Sequence, residues 1–520
     1  MQILKNKLIV LALLLTLVGS LIAGCGSSDK QSSQSKEKSF TYATVAYGVA
    51  MGNAGLNPHQ AYSGWSALRY GVGETLFRFN AAMEPEPWLA SSYERLDDYT
   101  MKITLRPNLK FANGNKVNGA AVKACLERLV AVHDRAPADL QIASIQAEEQ
   151  SITINSKKKV TGLINYLSDP YGAIIDVSSG TAQDKNIVGT GPYQAIKVTD
   201  SELQLVPNPN YWNGTSKLQR ITVKSITDGD TLTMAMQSGE VDAVQGLPYA
   251  SLKLFRNNDK YKISSTSTSR LYQAALNYKS PIIQDAAVRK AMAMGLNKQG
   301  FTTVLLQGNG TVAVGPFPNN FKFGGQSLRE DAYDPEAAKL LLTAAGWIDT
   351  DGDGIREKNG RKLVINWLTY TSRQELPLLA EAVQADYKKI GIDVKVNATD
   401  SYRDFLKSGE FDVFANASVA APTGDPQYYF TTQVVQGSDY NRGSYYSPQI
   451  EKLVEELRNE FDPDKRSSLA IKISQQILDD NAYIYASHLK MSFVMKNNVQ
   501  GFVAHPSDYY EITVALDKAQ

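Results

Sequence analysis

The stretch that most constrains the fold is 364–396. Val364-Ile365-Asn366-Trp367-Leu368 has the composition of a strand. Leu379, Val383, Tyr387 and Ile390 then recur at helical spacing, Gly391 stops the helix, and Ile392, Val394 and Val396 alternate as a second strand. Two strands that run the same way need a crossover of about a dozen residues or more, and a helix of this length supplies one. The segment therefore predicts a βαβ unit with parallel pairing and places the chain in the α/β class. Earlier, Met101, Ile103 and Leu105 alternate with Lys102 and Thr104, as in a half-buried strand. Asn108 to Asn115 then punctuates as a turn, and Ala120 to Val132 is an amphipathic helix. Two lobes of this kind joined by crossing segments enclose a cleft, the usual seat of a small ligand.

A chain of 520 residues is long enough for two or three domains. Its first residues have the pattern of an export signal: Lys5 and Lys7, an apolar run from Leu8 to Val18, then Leu21-Ile22-Ala23-Gly24 directly before Cys25. Such a segment is cleaved and stays outside the fold. The expectation is a lipoprotein signal peptide over 1–24, acylation of Cys25, and a flexible tether over 25–39 whose Ser, Lys, Gln and Gly cannot bury apolar surface. The protein is thus expected outside the cytoplasm, membrane-anchored at the cell surface or in a periplasm. Cys125 is the one other cysteine, so no disulfide is expected and Cys125 should be a small buried hydrophobe. A formal net charge of +1 offers no electrostatic case for nucleic acid.

A set of short motifs runs through the rest of the chain. Leu56-Asn57-Pro58-His59 is followed by Gly73-Glu74-Thr75-Leu76-Phe77, Trp88-Leu89-Ala90 and 105–114 with Arg106-Pro107-Asn108. Then come Gly189-Thr190-Gly191-Pro192-Tyr193, Asn208-Pro209-Asn210-Tyr211-Trp212, Gly239-Glu240-Val241-Asp242, Val288-Arg289-Lys290-Ala291 and Ala345-Gly346-Trp347. Gly189, Gly191 and Pro192 fit a tight turn in which glycine permits positive φ. Each motif alone is weak. In this order they resemble the extracytoplasmic solute-binding proteins of the dipeptide, oligopeptide and nickel ABC importers, over essentially all of the chain beyond the tether. The resemblance implies a two-lobed periplasmic-binding-protein fold with an extra subdomain in the first lobe. It divides the chain into a first lobe over 40–268 with a subdomain over about 80–184, a second lobe over 269–487, and a return to the first lobe over 488–520. It also implies a monomer that delivers solute to permease subunits, has no cofactor of its own and is not an enzyme.

The resemblance also bears on the solute. Peptide binders of the family commonly place an Asp near a Trp ahead of a Gly-Asp-Pro stretch, and that carboxylate takes the peptide amine. Here Val419 stands at the Trp position and Pro422 at the Asp position, ahead of Gly424-Asp425-Pro426. Asp425 itself is expected to cap a turn or helix. Ala421-Pro422 shortly before Asp425-Pro426 is similar to the nickel members, with one residue more between the pairs. Those members take nickel as a small chelate, held by aromatic walls, an arginine for the chelator's carboxylates and sometimes a histidine. On that footing Arg69, Arg270 and Arg373 are candidate carboxylate partners, although each also reads as a solvated surface charge. Trp65 and Tyr445 are candidate aromatic walls, Tyr272, Trp367 and Tyr370 are candidate ligand-binding residues beside Arg270 and Arg373, and His488 and His59 are candidate metal ligands. His59 also reads as a loop hydrogen-bonding residue, and His133 and His505 as surface loop residues. The nickel members carry an arginine in the region matching 167–175, where this chain has none. A nickel chelate is the first reading and a short peptide the alternative.

Two further readings are weighed. Asp349-Thr350-Asp351-Gly352-Asp353-Gly354 begins like a calcium loop, but an EF-hand needs a bidentate Glu at position twelve, which here is Gly360. A hairpin-like loop with acidic turn residues is expected instead. For an exported hydrolase there is no Gly-x-Ser-x-Gly elbow, and neither a His-Glu-x-x-His motif nor a phosphate-binding Walker loop occurs.

Overall fold

The computed structural model describes residues 38–45, 55–180 and 185–519. The expectations for the signal peptide, Cys25 and most of the tether lie outside these residues. Val364–Thr369 pairs in parallel with Asp393–Ala398, and the helix Glu375–Lys389 crosses between them with Leu379, Val383 and Tyr387 buried. Gly391 takes φ 83° where the helix ends. The period change from 3.6 to 2 that marks this unit in the sequence is the folded unit.

That pair forms one edge of an eleven-stranded sheet. From this edge the order continues through Val413–Val419 to two long strands, Tyr261–Leu276 and Tyr483–Lys496. It then runs through Ala243–Gln245, Ser39–Thr44, Arg220–Ser225, Glu202–Pro207 and Tyr193–Val198. Gly310–Val312 pairs with Tyr483–Lys496 off this path. The fold is two-lobed α/β, as the resemblance implied. The first lobe holds Ser39–Thr44 and the strands beyond it, and the second holds the βαβ unit. The two long strands run through both.

These strands are antiparallel to each other, and their register shifts twice, between Ser267 and Leu271 at the lobe boundary and again between Tyr272 and Gln273. Register holds from Tyr261↔Lys496 to Ser267↔Lys490 and resumes at Leu271↔His488. Thr268, Ser269 and Arg270 therefore face a single residue, Leu489. A bulge of this kind bends a strand and re-aims its side chains. It is what turns Arg270 toward the cleft.

The first lobe carries a separate four-stranded antiparallel sheet, Ala90–Arg95, Thr100–Leu105, Ser151–Ser156 and Ile142–Ala147. Met101, Ile103 and Leu105 are its buried face, and the helix Gly119–Val132 buries Val122, Cys125, Leu126 and Leu129. Cys125 is free and buried. The turn before Tyr193 differs from its sequence reading, since neither Gly189 nor Gly191 has positive φ. Their need for glycine is steric: a Cβ would sit 2.0 Å from the Val72 carbonyl oxygen at Gly189 and 2.2 Å from that of Gly71 at Gly191.

The acidic loop ends in a short hairpin, Glu357–Lys358 with Arg361–Lys362. Its cation is built in. The Lys362 ammonium pairs with Asp353, lies 2.9 Å from Asp351 and 3.7 Å from Glu357.

Candidate ligand-binding cleft

Where the lobes meet, the bulge, the start of the helix Glu375–Lys389 and the C-terminal segment around Asp508 enclose a cavity of about 220 Å³. Its floor is the bulged strand at Thr268, Ser269 and Arg270 and the facing residues Leu489 to Ser492. Trp65, Met83 and Tyr509 wall the first lobe, and Tyr249, Arg373, Glu375, Val419 and Pro422 also line the space. Trp65 and Tyr509 rings lie 6.0 Å apart, a continuous aromatic surface.

The guanidiniums in the cleft are in different states. Arg69, the last residue of the helix Ser63–Arg69, is almost fully occupied. It bonds the Asp508 carboxylate, donates to the Asp508 carbonyl at 3.2 Å and lies 3.3 Å from Glu511. Burial opposes its charge, but the two carboxylates outweigh burial and hold its pKa above the ordinary value. One cation between two carboxylates leaves a surplus. Burial pushes Glu511 up to about 8 and raises Asp508 as well.

Arg270 and Arg373 have no side-chain hydrogen bond or ion pair among the described residues. Burial, and then the positive charge of Arg373, lower the pKa of Arg270, so its charged form lacks full compensation. Asp508 and Glu375 are near enough to offset part of this, but Asp508 is already bonded to Arg69, and the Glu375 carboxylate is held by the Tyr249 and Tyr272 hydroxyls. Two guanidiniums left this way form a site for carboxylates, which match the guanidinium fork.

Of the residues singled out from sequence, Trp65, Arg69, Arg270 and Arg373 line the cleft. Tyr272 is buried behind it and orients Glu375. Tyr370 stands beside it: its ring is 4.8 Å from that of Tyr402, and its hydroxyl accepts from the Ala417 amide. The other four lie elsewhere. Trp367 is mid-strand and fully buried, because strand alternation turns it into the core under the helix Glu375–Lys389. Tyr445 packs on Tyr278 and bonds Asp480 inside the second lobe.

His488 alternates with the cleft-lining Leu489, so its ring faces away. Its Nε2 donates to the Pro316 carbonyl at 3.1 Å, and burial lowers its pKa to about 4. His59 is buried against Arg128 and Cys125, with burial and then Arg128 lowering its pKa to about 3. Both are structural histidines in this fold and neither reaches the cleft. His133, expected at the surface, is also buried: its Nε2 donates to the Ala61 carbonyl and its Nδ1 accepts from the amides of Arg135 and Ala136. His505 is partly buried, with Nδ1 bonded to Ser507.

Asp425 accepts from the Gln427 amide, the turn role expected of it, and also binds Arg466 through both oxygens. The segment 167–175 has a guanidinium behind it in Arg135, but Asp169 holds that group at 2.9 Å. Sequence reasoning missed Tyr249, Glu375, Lys490, Asp508 and Tyr509. For Glu375 a signal existed, since it opens a helix directly after Arg373.

Residues 84–441 match the family model of the bacterial extracellular solute-binding proteins, family 5. The chain belongs to that family. It is 27% identical to the nickel-binding protein NikA of Staphylococcus aureus over 447 residues, covering 86% of this chain and 89% of that protein. Among solved structures, it is similar to a nickel ABC transporter protein from Bacillus halodurans, with TM-score 0.82, 28% identity, and coverage of 92% of this chain and 100% of that one. The Staphylococcus aureus NikA in complex with Ni(L-His)2 aligns with TM-score 0.73 and 25% identity, over 93% of this chain and 100% of that one. The family member is thus a solute-binding protein of the nickel and peptide importer group, and its relatives are extracytoplasmic. No helix among the described residues is long and apolar enough to cross a membrane.

Proposed function

We propose that this protein captures nickel as a small carboxylate-bearing chelate outside the cytoplasm and delivers it to the permease of an ABC importer, doing no chemistry on it. The observation that carries this reading is the pair Arg270, on the cleft floor, and Arg373, lining the same space, neither with an ion-pair partner among the described residues. They would take the chelator's carboxylates while Trp65 and Tyr509 cover its faces. Since neither His59 nor His488 reaches the cleft, the metal arrives with its ligands supplied by the chelator. Pro422, at the position where peptide binders place an amine-binding Asp, lines the same space and has no charge to offer a peptide amine. In this reading the chain acts as a monomer, with 40–268 and 488–520 forming one lobe and 269–487 the other. Cys25 carries the lipid that holds it to the membrane.

Closure around the chelate requires tighter binding to the closed form than to the open one. Calorimetric titration with Ni²⁺ alone, Ni²⁺ plus L-histidine, and a dipeptide mixture tests the proposal. Heat only when nickel and histidine are present together is the expected result. Binding of dipeptides with no response to nickel and histidine would replace the chelate with a peptide.

A further inference from the structure

The lobes meet at a second place, along a polar seam that makes one edge of the cleft. We infer that the loop carrying Thr423, Gly424 and Asp425 is a latch between the lobes, which sets their resting equilibrium independently of the cleft arginines. The loop is fixed to its own lobe. Arg466, near the start of the helix Pro463–Asp479, holds Asp425 at 2.7 and 2.8 Å, and both side chains are buried. Mounted in this way, the loop presents its backbone to the first lobe. Asn165 Nδ2 donates to the Thr423 carbonyl at 2.8 Å, and the Tyr509 hydroxyl donates to the Pro422 carbonyl at 2.8 Å.

The same arginine reaches across. Its Nη1 donates to Thr161 Oγ1 at 2.7 Å, so one guanidinium both anchors the loop and grips the opposite lobe. Gly424 has φ 65°, and a Cβ there would lie 2.0 Å from the Met83 carbonyl oxygen. The backbones approach that closely only because the residue is glycine. At the edge of the seam Lys322 pairs with Glu84 at 2.7 Å, and the Arg95 guanidinium stacks 4.1 Å from the Phe461 ring.

Met83 and Pro422 line the cleft while their neighbours make the seam, so opening the seam opens that wall. Seam contacts are made by protein groups alone. They therefore bias the lobes toward each other before any solute arrives, and solute affinity scales with the fraction of molecules already closed.

The test uses the protein without solute. Gly424→Ala drives a methyl against the Met83 carbonyl, and Asn165→Ala removes one hydrogen bond without adding bulk. Each variant should show a larger radius of gyration by small-angle X-ray scattering than the parent. Amide exchange should quicken over 161–169 and 422–430 while the core strands stay protected. For Asn165→Ala a fall of roughly two- to tenfold in the closed-to-open ratio is expected, the size of one net hydrogen bond. An unchanged radius and unchanged exchange in Asn165→Ala, with native circular dichroism, would overturn the latch. Because no solute is present, this result does not depend on whether the cleft takes nickel or peptide.

Discussion

The two arginine sites of the cleft differ in what balances them. On the first-lobe wall, Arg69 is shared by Asp508 and Glu511, with more negative charge than it can neutralise. Arg270, on the floor, and Arg373 lie near each other with no ion-pair partner among the described residues. Burial weighs on the Arg270 charge, with Asp508 and Glu375 offsetting part of it, whereas Arg373 is exposed. The wall arginine is therefore part of the architecture, and Arg270 and Arg373 are the cations of the cleft with no salt bridge among the described residues. The acidic loop makes a third case, in which Lys362 plays the cation for carboxylates that resemble a metal site.

The largest expected effects separate wall from floor. Arg69→Met should leave the Asp508 carboxylate without its ion pair and Glu511 without its donor, and cost roughly 3–5 kcal/mol of stability, read by chemical denaturation. Arg270→Met should leave stability unchanged or slightly higher, since it removes a charge that burial and Arg373 oppose and that Asp508 and Glu375 offset only in part. In the nickel–histidine titration, however, it should weaken binding by about 100-fold, within the range for truncating one partner of a buried charge pair. If both variants lost stability equally, the distinction between the two sites would be lost.

A smaller effect appears in pH dependence. Glu511 has its pKa raised by burial from 4.5 to about 8, so the folded protein keeps a proton that the unfolded chain releases. Its stabilising share is complete below about pH 4.5 and is lost as pH rises through about 8. Glu511→Gln, which keeps an acceptor for Arg69, should therefore unfold at a higher temperature than the parent at pH 8, with the gap closing by pH 5. An equal gap at both pH values would show that Glu511 is already ionised in the fold.

The smallest effect is expected at the acidic loop. Its three aspartates are exposed and Glu357 is half-buried, and exposed ion pairs contribute about 0–1 kcal/mol each. Lys362→Met should lower the unfolding temperature by at most a few degrees and leave nickel–histidine binding unaltered. A change in solute binding would link this loop to the cleft and break the separation.

The βαβ unit at 364–398, the strand Thr100–Leu105 and the helix Gly119–Val132 were legible because burial imposes a period on neighbouring residues. The site was legible only in part. Arg373 follows the end of a strand and Arg270 lies within one, but nothing local distinguishes them from Arg69, whose partners lie more than 430 positions away. His488 and Trp367 misled for a related reason. Their residue types suit a site, while strand alternation and the segment packed above each one decide which way it faces.

By itself the sequence determined the α/β class and the family, since these depend on local periodicity and motif order. Only the tertiary structure decided which arginine is spent, which histidines are enclosed and why Gly189, Gly191 and Gly424 must be glycine. Those outcomes depend on distances between segments far apart in the chain, and such distances exist only once both lobes have folded around their shared sheet.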